Sequence, residues 1–81
     1  MKYPIGTKIE FINEDGWQED FEIEAYATRK DGLMYYLISS SLAEYYNQRD
    51  FFSEEELARE IKEHEDCGEK VEIKEEYEIT Q

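Results

Sequence analysis

The segment FEIEAYATRKDGLMYYLI, residues 21–38, decides the fold. Residues 21–28 alternate between apolar and polar side chains, which predicts a strand with one buried face. That face is predicted to carry Phe21, Ile23, Ala25 and Ala27. The pair Asp31-Gly32 then predicts a hairpin turn. Residues 33–38 are apolar on both faces, and we therefore expect the strand that they form to lie at the centre of the sheet.

Two further segments extend this hairpin into a larger sheet. Residues 7–12 alternate in the same way and end in the turn formers of residues 13–16, so a three-stranded antiparallel meander is expected. Residues 70–79 predict a last strand, bent or bulged near Glu75. Its predicted buried face carries Val71, Ile73, Tyr77 and Ile79. The pattern of residues 42–50 does not decide between a fourth short strand, a loop and a helical turn.

One helix is predicted over residues 53–66. Ser53 and Glu56 have the spacing of a capping box, in which each side chain accepts from the other residue's backbone N–H. Phe52 and Leu57 fit the hydrophobic staple that accompanies such a cap. The predicted buried stripe consists of Leu57, Ala58 and Ile61. Gly68 is suited to end the helix.

These elements predict a single α+β domain over residues 1–81. The expected architecture is a small, strongly bent antiparallel sheet or SH3-like barrel, with the capped helix packed over an open end. A core of this size yields little net stability, so a homodimer is possible. Cys67 is the only cysteine, and the N-terminus lacks an apolar signal segment. We therefore expect a cytoplasmic protein without a disulfide or a membrane span.

The charge is the most informative property of the composition. The chain carries 22 acidic and nine basic residues, a net charge of −13. Residues 41–81 hold 14 of the acids and five of the bases. Phosphate contact requires Lys and Arg, so direct binding to nucleic acid or to an anionic membrane is not expected. A cationic partner is favoured instead.

Catalytic and metal-binding patterns are absent from the sequence. His64 is the only histidine, and the chain has no nucleophile elbow, P-loop or dinucleotide-binding turn. His64 and Cys67 offer two metal ligands, but structural zinc usually takes four. Residues 13–16 resemble a calcium loop superficially, yet Phe11 would occupy the first ligand position. We predict no enzyme activity, no metal and no cofactor.

Carboxylates in regular rows suggest the leading functional hypothesis. Alternate residues of a strand lie about 6.6–6.8 Å apart, a spacing of the same order as that of successive phosphates. Such an array is expected to occupy the basic nucleic-acid-binding surface of another protein. The candidate partner-binding carboxylates are Glu22, Glu24, Glu54, Glu55, Glu60, Glu63, Glu72, Glu76 and Glu78. Trp17 and Tyr46 are candidate aromatic anchors.

Two other interpretations of the surface remain open. Tyr35–Tyr36 and Tyr45–Tyr46 are adjacent pairs, and neighbouring residues of a strand face opposite ways. One tyrosine of each pair and Trp17 would then be exposed and line a peptide groove. In that case the protein is an SH3-like interaction module whose acidic charge is incidental. The last interpretation is a solvated acidic surface that only confers solubility.

Two stretches resemble small SH3-like β-barrel proteins of phages and mobile elements. They are YPIGTKI, residues 3–9, and FFSEEEL, residues 51–57. The resemblance covers about residues 3–58, and the Ala-Leu-Tyr-Asp-Tyr signature of SH3 domains is absent. It implies a five-stranded barrel with an added helix and a phage origin, with action in the host cytoplasm. It also implies an anti-defence or host-takeover role, such as a DNA mimic that blocks a histone-like protein, a restriction enzyme or a CRISPR nuclease.

Overall fold

The computed structural model describes residues 2–41 and 49–75. These residues form five strands and one helix. In chain order they are β1 (Lys8–Ile12), β2 (Gln18–Thr28), β3 (Met34–Ser40), β4 (Arg49–Phe52), α1 (Glu54–Asp66) and β5 (Lys70–Lys74). In this part of the chain, no helix is both long enough and apolar enough to cross a bilayer.

All five strands join one antiparallel sheet in the order β4-β3-β2-β1-β5. The predicted meander and the α+β class are confirmed. Among the described residues the sheet is open, with β4 and β5 at its edges, and the expected closed barrel is not formed. Strand β3 has neighbours on both sides, as its apolar sequence requires, but β2 rather than β3 occupies the middle.

The core lies between one face of the sheet and the helix. Its buried hydrophobic residues come from the N-terminal segment, from β1, β2 and β3, and from α1. They are Tyr3, Ile9, Phe11, Phe21, Ile23, Tyr36, Ile38 and Leu57. Phe52, Ile61 and Val71 pack against this cluster and are partly buried. The helix contacts β3, β4 and β5, and it therefore covers the sheet between the two edge strands.

A β-bulge in β2 corrects the predicted faces of that strand. Ile23 pairs with Ile38 and Ala25 pairs with Leu37, so Glu24 is an extra residue without a cross-strand partner position. One inserted residue moves every later side chain to the opposite face. Tyr26, instead of Ala25 and Ala27, therefore reaches the core side. Its ring packs edge-on against Tyr36, with the centroids 5.7 Å apart.

The helix confirms the predicted capping box. Ser53 Oγ accepts from the Glu56 backbone N–H at 3.1 Å, and the Glu56 carboxylate accepts from the Ser53 N–H at 3.4 Å. Gly68, with φ of 87°, follows the C-cap residue Cys67 as predicted. Leu57 is buried and Ile61 is half-buried, but Ala58 is exposed, so its predicted place in the buried stripe is wrong.

The segments on either side of the helix are strands. Of the undecided residues 42–50, Arg49 and Asp50 belong to strand β4, and the others lie outside the described residues. Strand β5 places Val71 opposite Phe11 and Ile73 opposite Ile9. Val71 is half-buried as predicted, whereas Ile73 is 43% exposed at the edge of the sheet. Tyr77 and Ile79 lie outside the described residues.

Candidate functional site

The sheet face turned away from the core carries both acidic and basic residues. Cross-strand pairing sets Glu10 of β1 between Asp20 of β2 and Glu72 of β5. Lys8, two residues before Glu10 and on the same face of β1, lies between Glu22 and Lys74. Glu22 is therefore on the predicted outward face, but it faces a lysine rather than another carboxylate.

Ion pairs hold several of these side chains together. Lys74 Nζ lies 2.9 Å from Glu10 Oε1, and Lys70 Nζ lies 2.9 Å from Glu72 Oε1. The hydrogen bond and charge of Glu10 raise the pKa of Lys74, and those of Lys70 lower the pKa of Glu72. Each of these two carboxylates therefore has a lysine as an ion-pair partner.

Glu24, the bulge residue, is also paired with a cation. Its Oε2 lies 3.0 Å from Nε of Arg49, the first residue of the edge strand β4. Asp20, Glu10 and Glu72 thus lie side by side across β2, β1 and β5, but Lys70, Lys74 and Arg49 pair with Glu72, Glu10 and Glu24. The strand face offers a mixed rather than a negative potential to a partner.

Glu54, at the start of α1, has a structural contact. Its Oε1 accepts a hydrogen bond from the hydroxyl of the buried Tyr36 and another, at 2.6 Å, from the backbone N–H of Lys2. Partial burial alone would raise the pKa of Glu54, but these hydrogen bonds outweigh it and lower the pKa. This carboxylate joins the N-terminal segment to the core.

The remaining helical carboxylates are directed mainly to solvent. The exposed acids of α1 are Glu55, Glu56, Glu63, Glu65 and Asp66. Arg59 and Lys62 are the exposed bases of the same helix. The solvent face of α1 is therefore more negative than the outer face of the sheet.

A concave surface lies where the C-terminal half of α1 meets the turn between β1 and β2. It consists of two adjoining cavities of about 370 and about 220 Å³ that share Asn13 and Glu69. We call this surface the end groove. Its other lining residues are Phe11, Trp17, Gln18, Glu19, Glu60, Glu63, His64 and Cys67. The described residues that line it thus include four carboxylates but no lysine or arginine.

A third concavity provides a contrast on the sheet. This cavity of about 210 Å³ is lined by Lys8, Asp20, Glu22 and the serines at positions 39–41. It contains a lysine among its carboxylates and no aromatic ring. The end groove differs from it in both charge and aromatic content.

His64 forms one wall of the end groove. Its ring stacks on Phe11, and its Nδ1 contacts Glu69 while its Nε2 lies 3.3 Å from Glu60 Oε1. Partial burial would lower the pKa of His64, but hydrogen bonds and charge from Glu69 and Glu60 reverse this and raise the pKa. The imidazole connects the helix to β1 and to the segment that precedes β5.

Trp17 borders the groove from a constrained turn. Asn13 Oδ1 accepts from the backbone N–H groups of Asp15 and Trp17, at 3.0 and 2.9 Å. The Asn13 N–H donates to the Trp17 carbonyl at 3.0 Å, and Gly16 supplies the positive φ that the turn needs. The backbone is therefore fixed, while the indole is 72% exposed.

The chain was compared with protein families, curated proteins and solved structures. No protein-family model, curated protein or solved structure matches the chain.

Within residues 2–41 and 49–75, no three His, Cys, Asp or Glu side chains come together as candidate metal ligands. His64 and Cys67, the pair singled out in the sequence, both line the end groove, and Cys67 is an exposed free thiol.

The structure separates the candidate partner-binding residues into groups. The groove contains Glu60, Glu63 and Trp17, and the solvent face of the helix carries Glu55. Glu22, Glu24 and Glu72 lie on strands among cations, and Glu54 is bonded to Tyr36. Tyr46, Glu76 and Glu78 lie outside the described residues.

Of the ten described residues that line the groove, the sequence predicted three as partner-binding: Trp17, Glu60 and Glu63. The sequence pattern does not single out Glu19 or Glu69 as binding residues, and it indicates His64 only as an insufficient metal ligand. The spacing of Leu57, Ile61 and His64 along one helical face was the signal that would have placed His64 toward the core.

Proposed function

We propose that this protein is a non-enzymatic, acidic binding protein that occupies the basic nucleic-acid-binding surface of another protein. It would act there as an inhibitor that replaces nucleic acid. The contact surface consists of the solvent face of α1 and the adjoining end groove, rather than the strand rows. The observation that carries the proposal is the end groove, whose described lining contains four carboxylates and no lysine or arginine.

Electrostatics supports this choice of surface. The net charge of −13 attracts cationic partners at long range, but it does not select a face. On the strands, ion pairs at 2.9–3.0 Å already satisfy Glu10, Glu24 and Glu72. A partner would have to displace those cations before it could bind the carboxylates, whereas the carboxylates of the helix face are exposed to solvent.

The alternative of a peptide-binding interaction module has one supporting observation. Trp17 is highly exposed on a constrained turn, as an aromatic anchor would be. The two functions differ in their dependence on charge. A module that binds through aromatic contacts keeps its affinity in salt, whereas an electrostatic mimic loses it.

The proposal is tested by immobilising the protein, capturing binding partners from a lysate of the source cell and then adding duplex DNA to displace them. The immobilised protein is expected to retain basic nucleic-acid-binding proteins at about 0.05 M salt and to release them at about 0.5 M. Added duplex DNA is expected to release the same proteins. A poly-glutamate resin of matched charge is the control, and it should not reproduce the captured set.

Two results would refute the proposal. One is retention that is insensitive both to salt and to DNA. The other is a captured set identical to that of the poly-glutamate resin, because the fold would then add nothing to the charge.

A further inference from the structure

The end groove combines an aromatic ring, a concave shape and four carboxylates, of which Glu60 and Glu69 contact His64. Trp17 lines its smaller cavity, together with Glu19 and Glu69. The larger cavity continues from Glu69 and Asn13 to Glu63 and His64. The groove is therefore bounded by an exposed indole at one end and by helical carboxylates at the other.

The electrostatic character of the groove selects the occupant. Even with His64 protonated, the charges of Glu19, Glu60, Glu63 and Glu69 leave the lining negative. An apolar or proline-rich segment would gain from the indole, but it would desolvate those carboxylates in part without bringing a positive charge to offset the cost. A cationic side chain can interact favourably both with the indole ring and with the carboxylates.

The indole favours arginine among the cationic side chains. Trp provides the strongest cation–π surface of the aromatic residues. A guanidinium group is planar, weakly hydrated and able to stack on a ring while its edge donates hydrogen bonds to carboxylates. An ammonium group is more strongly hydrated and has no face to stack.

We infer that the end groove receives an arginine side chain of a basic partner segment, with the guanidinium stacked on Trp17 and directed toward the groove carboxylates. This inference rests on the proposed function and deepens it, because it names the side chain that anchors the partner. The hydrogen-bonded turn around Asn13 fixes the backbone that carries Trp17 before the partner arrives, which lowers the entropic cost of binding.

The single tryptophan provides a direct test. The capped peptide Gly-Arg-Gly-Arg-Gly is titrated into the wild-type protein while Trp17 fluorescence is recorded, and the lysine counterpart of equal charge is titrated in parallel. The arginine peptide is expected to change the fluorescence at a lower concentration than the lysine peptide. Calorimetry with the same two peptides measures total binding without depending on the indole.

Substitutions of Trp17 test whether its ring makes the contact with the arginine. W17A is expected to weaken binding of the arginine peptide by about 2- to 30-fold, with W17F intermediate. F51A is the matched control, since Phe51 is an exposed aromatic residue on β4, remote in sequence from the groove, and its removal should leave affinity unchanged. Arginine-peptide binding without a fluorescence change, or equal binding by W17A and wild type, would overturn the inference.

The experiments distinguish an error in the arginine inference from an error in the proposed function. If W17A binds the arginine peptide normally while basic proteins are still released by salt and DNA, the groove inference is wrong and the mimic proposal stands. If the captured proteins are insensitive to salt and DNA, the mimic proposal is wrong whatever the peptides do.

Discussion

The imidazole of His64 stacks on the ring of Phe11, with the ring centroids 4.0 Å apart and the planes inclined by 22°. This contact attaches the C-terminal half of α1 to strand β1. Because Glu60 and Glu69 hold the two ring nitrogens, the same contact forms a wall of the end groove. Stability and the shape of the groove are therefore linked through one titratable group.

The first prediction concerns the pH dependence of stability. The folded-state pKa of His64 lies above its ordinary value, so the protonated ring stabilises the fold. This contribution should be complete below the unfolded pKa of about 6.5 and lost as the pH rises through the folded pKa. Urea unfolding of wild type and H64Q, from about pH 5 to about pH 9, measures it.

The difference between the two proteins isolates His64 from the other titrating groups, which both proteins share. The charged groups around the ring are Glu60 and Glu69, and Glu63 and Cys67 line the same groove. The difference in free energy of unfolding should shrink with rising pH. A difference that is constant or grows over this range would contradict the prediction.

The second prediction concerns the hydroxyl of Tyr36. Burial and the hydrogen bond to Glu54 raise the pKa of Tyr36 to about 12, so the hydroxyl remains protonated at neutral pH. It accepts from the Tyr3 backbone N–H at 3.0 Å and donates to Glu54. Tyr36→Phe leaves both groups without this partner, and a loss of about 1–3 kcal/mol in free energy of unfolding is expected.

Tyr35→Phe is the matched control for this hydroxyl. Tyr35 is the neighbouring ring on the opposite face, and its hydroxyl accepts from the exposed Arg29. Its loss should change the free energy of unfolding by less than about 0.5 kcal/mol in the same urea experiment. Equal effects of the two substitutions would show that the buried hydroxyl has no special role.

The third prediction concerns the helix cap. Ser53→Ala removes the acceptor for the Glu56 N–H and should cost about 0.5–2 kcal/mol, while Ser53→Asn should restore most of the loss. Thermal unfolding followed by circular dichroism compares the three proteins. If the alanine variant were as stable as wild type, the capping box would contribute nothing to the fold.

Much of the fold was predictable because local patterns decide it. The capping box at Ser53 and Glu56 is a local feature, and it places the start of the helix correctly. Alternation in residues 7–12 and 21–28, with the turn at Gly32, gives the meander. The bulge at Glu24 was not predictable from alternation, because Ala25 and Ala27 on one side and Tyr26 on the other fit either face.

The candidate site was less predictable because it depends on contacts distant in sequence. Alternation placed Glu22 and Glu72 correctly on strands, but it contained no information about cross-strand neighbours. The register that sets Lys8 beside Glu22 and Lys74 beside Glu10 is a tertiary property. The end groove likewise arises only when the turn at Asn13 meets the end of the helix.

The central claim is that the helix and end groove, not the strands, receive the cationic partner. Two variants of equal net charge test it: E55Q/E63Q/E65Q on the helix and E10Q/E22Q/E72Q on the strands. Circular dichroism first establishes that both are folded. Affinity for a basic protein captured by the wild-type chain is then measured at constant salt.

The helix variant is predicted to bind about 3- to 150-fold more weakly than wild type, on the basis of about 0.2–1 kcal/mol for each exposed ion pair. The strand variant is predicted to remain close to wild type, because Glu10 and Glu72 are already paired with lysines. Equal losses in the two variants, or a larger loss in the strand variant, would contradict the account.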